Sequence, residues 1–222
     1  MIPLRDTERS ESPPIVTSLI IVANAIAFFY ELSLDPWSRN HLIATFGVVP
    51  EHFSYLSLLT SMFLHGGWMH VIGNMWFLWI FGDNVEDILG HVRYLLFYLL
   101  CGVAAGLAHI AANAGSHLPA IGASGAIAGV MGAYLVKYPH ARILTLVPVF
   151  VFLTTFELPA AVVLVYWFVL QIFSGLGSVV YSQISQQGVA WFAHVGGFLA
   201  GVVLIWILPT RPRYRLRSEL HW

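Results

Sequence analysis

The chain has 222 residues, 58% of them hydrophobic and only 9% charged, a balance well outside that of an ordinary soluble domain. A net charge of -1, with Lys and Arg clustered only in the C-terminal tail, argues against nucleic acid as a partner, because neutralising phosphates needs clustered cations. The composition reads as an integral membrane protein in contact with lipid, and the single cysteine, Cys101 in an apolar run, excludes an internal disulfide.

A hydrocarbon core about 30 Å thick takes about 20 apolar residues at 1.5 Å per residue. Segments meeting this run over 14–32, 64–82, 92–113, 120–137, 158–175 and 189–208. All are expected to be helices, since lipid offers backbone amides no partners. The chain thus divides into a cytoplasmic N-terminal tail (1–13), one membrane domain (14–208) and a basic cytoplasmic tail (209–222). Ala23-Asn24-Ala25-Ile26-Ala27 loosely resembles a signal-cleavage site, but apolar sequence continues through Phe28-Phe29-Tyr30 and Pro13-Pro14 stand where a basic region belongs, so the first segment reads as a retained span. Residues 33–63 form a long outer loop in which short helices at the membrane surface are expected.

Six spans with both termini inside leave Arg39 as the one basic residue outside, among the 10 Lys and Arg of the chain. Residues 143–157 are nearly as apolar as the segment 158–175, but a seventh span would put the Arg-rich tail outside and Ser124 and His194 at opposite faces. They are expected instead to be interfacial or re-entrant, held in check by Pro148, Glu157 and Pro159. The tail run Arg211-Pro212-Arg213-Tyr214-Arg215-Leu216-Arg217 reads as an anchor beside anionic lipid.

Ser124, in Gly122-Ala123-Ser124-Gly125, sits about four residues into the fourth segment, His194 about five into the sixth and His70 about six into the second, depths of about 6–9 Å from the outer end. A serine hydroxyl attacks only when a neighbouring base takes its proton, and imidazole suits that task. Gly125, Gly129 and Gly132 on one helix and Gly197 and Gly201 on the other, the latter on the face of His194, form small-residue stripes that allow the backbones to approach. With Asp83, Glu86 and Asp87 at the far end of the second helix, no carboxylate is available as a third member, so a Ser124–His194 dyad is expected. His70 and Asn74, four apart on one helical face, and the Ser124 backbone N–H are candidate oxyanion donors. His65 is expected to brace the outer loop. A metal site from His65, His70, His109 and His117 is not expected, since no acidic ligand accompanies them and no His-Glu-x-x-His pattern is present.

Gly122-Ala123-Ser124-Gly125, Ala193-His194-Val195-Gly196-Gly197 with Gly201, and His65 through His70 to Asn74 together resemble the rhomboid intramembrane serine proteases. The run Gly82 to Gly90 resembles that family's turn after the second helix. The resemblance implies an all-α six-transmembrane-helix bundle around a water-filled cavity, Ser124 as nucleophile, His194 as base, and an oxyanion hole of His70, Asn74 and the Ser124 amide. It implies cleavage of transmembrane protein substrates near the outer membrane face without cofactor or metal, with the fifth helix and the loop after it as a gate. Two departures stand out. Leu56-Ser57 replace a Trp-Arg pair that anchors the outer loop in many members, and Ala128 replaces an aromatic residue that stacks on the base, leaving Tyr166 or Trp167 to orient His194. A catalytically silent relative that binds membrane clients is the alternative, though such relatives usually lack the serine or the histidine. A transporter would show repeats and broken helices, and this chain has neither apart from the interruption at Pro159. The compact plan points to a bacterial inner membrane.

Overall fold

Helix α1 (Ile15–Ser33) starts directly after Pro13-Pro14, and its first-turn amides are capped from a distance. The Glu86 carboxylate accepts from Val16 N–H and Thr17 N–H, each at 2.8 Å, which satisfies donors that have no partner within the helix. The computed structural model describes residues 2–149, 152–181 and 190–211. Between α1 and the next long helix lie α2 (Pro36–Phe46), capped by the Asp35 carboxylate, a 3-10 turn at Pro50–His52, α3 (Ser57–Thr60) and a second 3-10 turn at Ser61–Phe63. The remaining helices are α4 (Trp68–Leu89), α5 (His91–Ala112), α6 (Ser124–Lys137), α7 (Ala160–Tyr181) and α8 (Trp191–Ile207).

The long helices fall on the apolar segments read from the sequence, with three shifts, one being that the helix expected over 158–175 runs from Ala160 on to Tyr181. The helix expected over 64–82 runs from Trp68 to Leu89, so the stretch read as a turn from Gly82 is still helical and the break is Gly90 alone, at φ 75 in the left-handed region open to glycine. Charged side chains extend that helix because each has a partner: Glu86 caps α1, and Asp87 accepts from Glu11 N–H and Ser12 N–H at 3.1 and 2.9 Å. The helix expected over 120–137 begins only at Ser124, because residues 116–123 are held as loop by Val48 and Ala120, paired in both directions, and by Gly122 N–H donating to Ser61 C=O at 2.8 Å.

The segment 143–157, expected to be interfacial or re-entrant, is extended. It forms β2 (Arg142–Val149) and β3 (Phe152–Pro159), an antiparallel hairpin with Arg142 opposite Pro159, and β1 (Ile2–Asp6) adds to its free edge with Ile2 opposite Leu146. The first residues are thus a strand rather than a free tail. Val, Ile, Thr and Phe make up half of the two strands, and the ladder satisfies amides that an unpaired chain would leave to solvent. β1 is fastened to the helices by Trp76 Nε1–H donating to Pro3 C=O at 2.7 Å and by Asp6, whose carboxylate accepts from Tyr134 O–H and Asn84 Nδ2–H at 2.5 and 2.8 Å. Burial pushes the Asp6 carboxyl up to about 6, and the Tyr134 hydrogen bond only partly opposes it.

α6 packs against α4, α5 and α8, with α1 against α4 and α7 against α8. Leu78, Phe81, Tyr94, Phe97 and Tyr134 are wholly buried between them, while Leu19, Ile26, Trp76, Trp79, Leu96 and Trp206 stand exposed on the outside. So much apolar surface turned outward fits a lipid environment. Among the described residues, α1 and α5 have both the length and the apolarity to cross a bilayer, whereas α6 and α8 are shorter apolar helices.

Candidate active site

Ser124 is the first residue of α6, His194 the fourth of α8 and His70 the third of α4, so the three sit in first helical turns at one end of the bundle. They line a cavity of about 750 Å³ together with Asn74, Phe77, Ile127, Met131 and Trp167.

What brings α6 and α8 together is the absence of side chains. A Cβ on Gly197 would lie 1.9 Å from the Gly125 carbonyl oxygen, and one on Gly201 the same distance from that of Gly129. The two backbones are in direct contact, and the stripes read from the sequence are the surfaces that touch. This approach leaves Ser124 Oγ 2.7 Å from His194 Nε2.

The other ring nitrogen, His194 Nδ1, is 2.6 Å from Gln171 Oε1 on α7. An amide oxygen only accepts, so Nδ1 carries the hydrogen and Nε2 presents its lone pair to the serine hydroxyl. Gln171 did not stand out in the sequence, where it is one polar residue in the apolar run of α7. An uncharged amide in a span, spaced from no motif, carries little signal beyond the cost of placing it there. Trp167 does lie beside the base, its ring centroid 5.8 Å from that of His194, and Trp191 meets the same ring edge-on at 6.2 Å. Tyr166 is exposed, so of the two aromatic candidates Trp167 is the neighbour.

Opposite the pair, Gly66 N–H donates to His70 Nδ1 at 3.3 Å, which leaves the proton of the neutral ring on Nε2. Asn74 Nδ2 is buried and has no partner. Both nitrogens converge on the space beside Gly122: a Cβ there would lie 2.6 Å from His70 Nε2 and 3.6 Å from Asn74 Nδ2. Gly122, at φ 122, keeps open a small volume faced by two unspent N–H donors. The Ser124 amide, at the start of α6, has no intrahelical acceptor.

His65 is wholly buried against the ring of His70, at 5.1 Å between centroids, and its backbone is clamped on both sides. Its N–H donates to Glu31 Oε1 at 2.9 Å and its C=O accepts from Arg39 Nη2 at 3.1 Å, with Arg39 Nε 3.8 Å from Glu31 Oε2. Here α1 and α2 hold the outer loop through the Glu31–Arg39 pair. His109 instead faces Asn113, and His117 pairs with Glu51; among the described residues no group of three or more His, Cys, Asp or Glu could hold a metal ion. The loop after α7 and the basic run beyond Arg211 lie outside the described residues.

The family model of the Rhomboid domain matches residues 52–211, well over half of the chain. The chain belongs to the rhomboid family. It is 31% identical over 209 residues to Rhomboid-like protein 11, chloroplastic, of Arabidopsis thaliana, a match covering 89% of this chain and 70% of that one. It is 34% identical over 137 residues to the mitochondrial presenilin-associated rhomboid-like protein of Mus musculus, covering 60% of this chain but only 36% of the relative. A third, RHOMBOID-like protein 6, mitochondrial, of Arabidopsis thaliana, is 31% identical over 156 residues, or 70% of this chain and 44% of the other. This rhomboid chain therefore spans less than half of either mitochondrial relative. These relatives are named for chloroplast and mitochondrion, and they lend no support to the bacterial inner membrane expected from the sequence. Membership, with the apolar exterior, makes the chain an integral membrane protein.

Proposed function

We propose that this rhomboid is an intramembrane serine endopeptidase that hydrolyses peptide bonds of transmembrane protein substrates near the outer membrane face. The observation that carries this reading is the 2.7 Å approach of Ser124 Oγ to the unprotonated nitrogen of His194, on the wall of a cavity that also receives the unpartnered Asn74 amide. In the reaction, Ser124 Oγ bonds to the scissile carbonyl carbon as its proton passes to His194 Nε2. The carbonyl oxygen, now negative, takes N–H donors from His70 Nε2, Asn74 Nδ2 and the Ser124 backbone. The imidazolium protonates the leaving amine, and a water activated by the same ring then releases the acyl group as acid. Each proton moves between Ser124, His194, water and substrate, so the scheme balances with the chain's own groups.

In this reading six helices, α1 and α4 to α8, cross the membrane as one domain over 14–208, with 1–13 and 209–222 in the cytoplasm and the first of these docked as β1. The excess of Lys and Arg on the cytoplasmic side supports that orientation. A fluorophosphonate probe applied to the detergent-solubilised protein is expected to label the wild type and not Ser124→Ala, and His194→Ala is expected to abolish cleavage of a reporter transmembrane substrate. Absent labelling, or labelling that survives Ser124→Ala, sinks the proposal and leaves a client-binding relative without activity.

A further inference from the structure

We propose that Gln171 is a positioning residue for the base, holding His194 from α7 in the tautomer that can accept the Ser124 proton. The inference rests on the reading of Ser124 and His194 as nucleophile and base. A neutral imidazole has one N–H and one lone pair, so it can present either to the serine. With the hydrogen on Nε2 the ring would donate to Ser124 Oγ and could take nothing from it. Gln171 Oε1 lies 2.6 Å from Nδ1, and a hydrogen bond there is possible only with the hydrogen on Nδ1, which turns the Nε2 lone pair toward the hydroxyl.

The surroundings leave this bond much to decide. His194 and Gln171 are 9% and 7% exposed, so solvent does not compete for Nδ1. Trp167 and Trp191 pack near the ring, but aromatic neighbours do not decide which ring nitrogen carries the hydrogen. A directional acceptor does. The ionisable groups that face His194 are His70 from α4 and His109 from α5, neither of them an anion. The negative end of the Gln171 amide dipole is therefore what the imidazolium meets on its Nδ1 side during acyl transfer, the place a carboxylate holds in a Ser-His-Asp arrangement. Gln171 and Trp167 are one turn apart on α7, so a single helix supplies both the ring's neighbour and its acceptor. The orientation of the base is tied to the seating of α7 against α8.

Steady-state cleavage of a reporter substrate by wild type, Ser124→Ala, Gln171→Met and Gln171→Glu, each across pH, tests this. Gln171→Met is expected to lower kcat about 10- to 100-fold with KM little changed, as for outer partners that fix a histidine tautomer elsewhere. Gln171→Glu, nearly the same shape, is expected to retain turnover and to move the acid limb of the pH profile to higher pH, because an anion beside Nδ1–H favours the imidazolium. A Gln171→Met enzyme with wild-type kcat, or a Gln171→Glu profile that superimposes on the wild type, overturns the inference. Should Gln171→Met not fold, the Gln171→Glu profile decides alone. An inert wild type instead removes the serine reading beneath, a result distinct from an active wild type indifferent to position 171.

Discussion

Replacing Gly197 by Ala adds one methyl group at the contact between α6 and α8. Its Cβ would fall 1.9 Å from the carbonyl oxygen of Gly125 and 2.8 Å from the carbonyl carbon, both backbone atoms of the residue next to Ser124. A carbon approaches a carbonyl oxygen to about 3.3 Å at the closest, so α8 must retreat from α6 by about 1.4 Å. No side chain rotation relieves the clash, since the obstacle is main chain. A retreat of that size stretches the Ser124 Oγ to His194 Nε2 distance from 2.7 Å to about 4 Å, beyond a hydrogen bond. Misplacement of reacting groups by about 1 Å costs about 100-fold in rate, and overpacking of this kind costs about 1–3 kcal/mol in stability. The measurements are the rate of fluorophosphonate labelling and the thermal midpoint in detergent. Gly73→Ala serves as the stability control: nothing lies within 4 Å of its added Cβ and it sits inside α4, so that variant should melt at or slightly above the wild type. A Gly197→Ala protein that labels and melts like the wild type would show that the two helices do not meet through their glycines, and the geometry of the pair would lose its cause.

Asn74→Ala removes one of the donors that converge beside Gly122, and turnover is expected to fall about 10- to 1,000-fold while labelling of Ser124 persists; unchanged turnover would remove Asn74 from the site. Arg39→Ala deletes the donor to His65 C=O and leaves the buried Glu31 carboxylate without its cation. A loss of about 1–3 kcal/mol is expected, with slower labelling because His65 packs on His70, and a melt unchanged from wild type would refute the clamp. Asp6 titrates near 6 in the fold against 3.8 for a free carboxyl, so the folded state holds the proton more tightly than the unfolded one. Stability on this account is greatest at low pH, declines as pH rises from about 4 to about 6 and stays reduced above, since the folded state binds more protons in that window. Asp6→Asn abolishes that dependence, so its thermal midpoint should gain on the wild type between about pH 4.5 and about pH 7; a difference that stays constant across this range contradicts the assignment.

Most of the pair's geometry was legible because it derives from short-range rules. Glycines at helical spacing mark where backbones can meet; His194 shares the face of Gly197 and Gly201, and Ser124 stands next to Gly125 at the head of the other stripe. The site's other determinants depend on contacts distant in sequence. Ser124 was placed inside a helix because residues 120–123 are apolar, yet Ser61 and Val48 take up that loop's amide and carbonyl groups and postpone the helix. The Glu31–Arg39 clamp joins an acid inside an apolar span to a base in a surface helix, and neither has a motif to announce it. The hairpin over 142–159 shows the same limit: the length and hydropathy of the segment suited lipid, whereas pairing with residues 2–6 decides for strand, and no local window contains both.

Starting α4, α6 and α8 close to His70, Ser124 and His194 has an electrostatic consequence that depth alone would miss. In the interior of a span each backbone N–H is committed to a carbonyl four residues earlier, and the helix offers a reacting group nothing but side chains. At a helix start the dipole presents its positive end; the His70 and His194 N–H groups already donate to Gly67 and Ala190 C=O, whereas the Ser124 N–H has no intrahelical acceptor. Three helix N-terminal ends gather at this cavity, and their dipoles lower the cost of negative charge there. In the proposed reaction, an oxyanion formed beside Ser124 would meet the Ser124 N–H as well as His70 and Asn74. That explains how a nearly uncharged set of residues could support acyl transfer with an amide, rather than a carboxylate, behind its histidine.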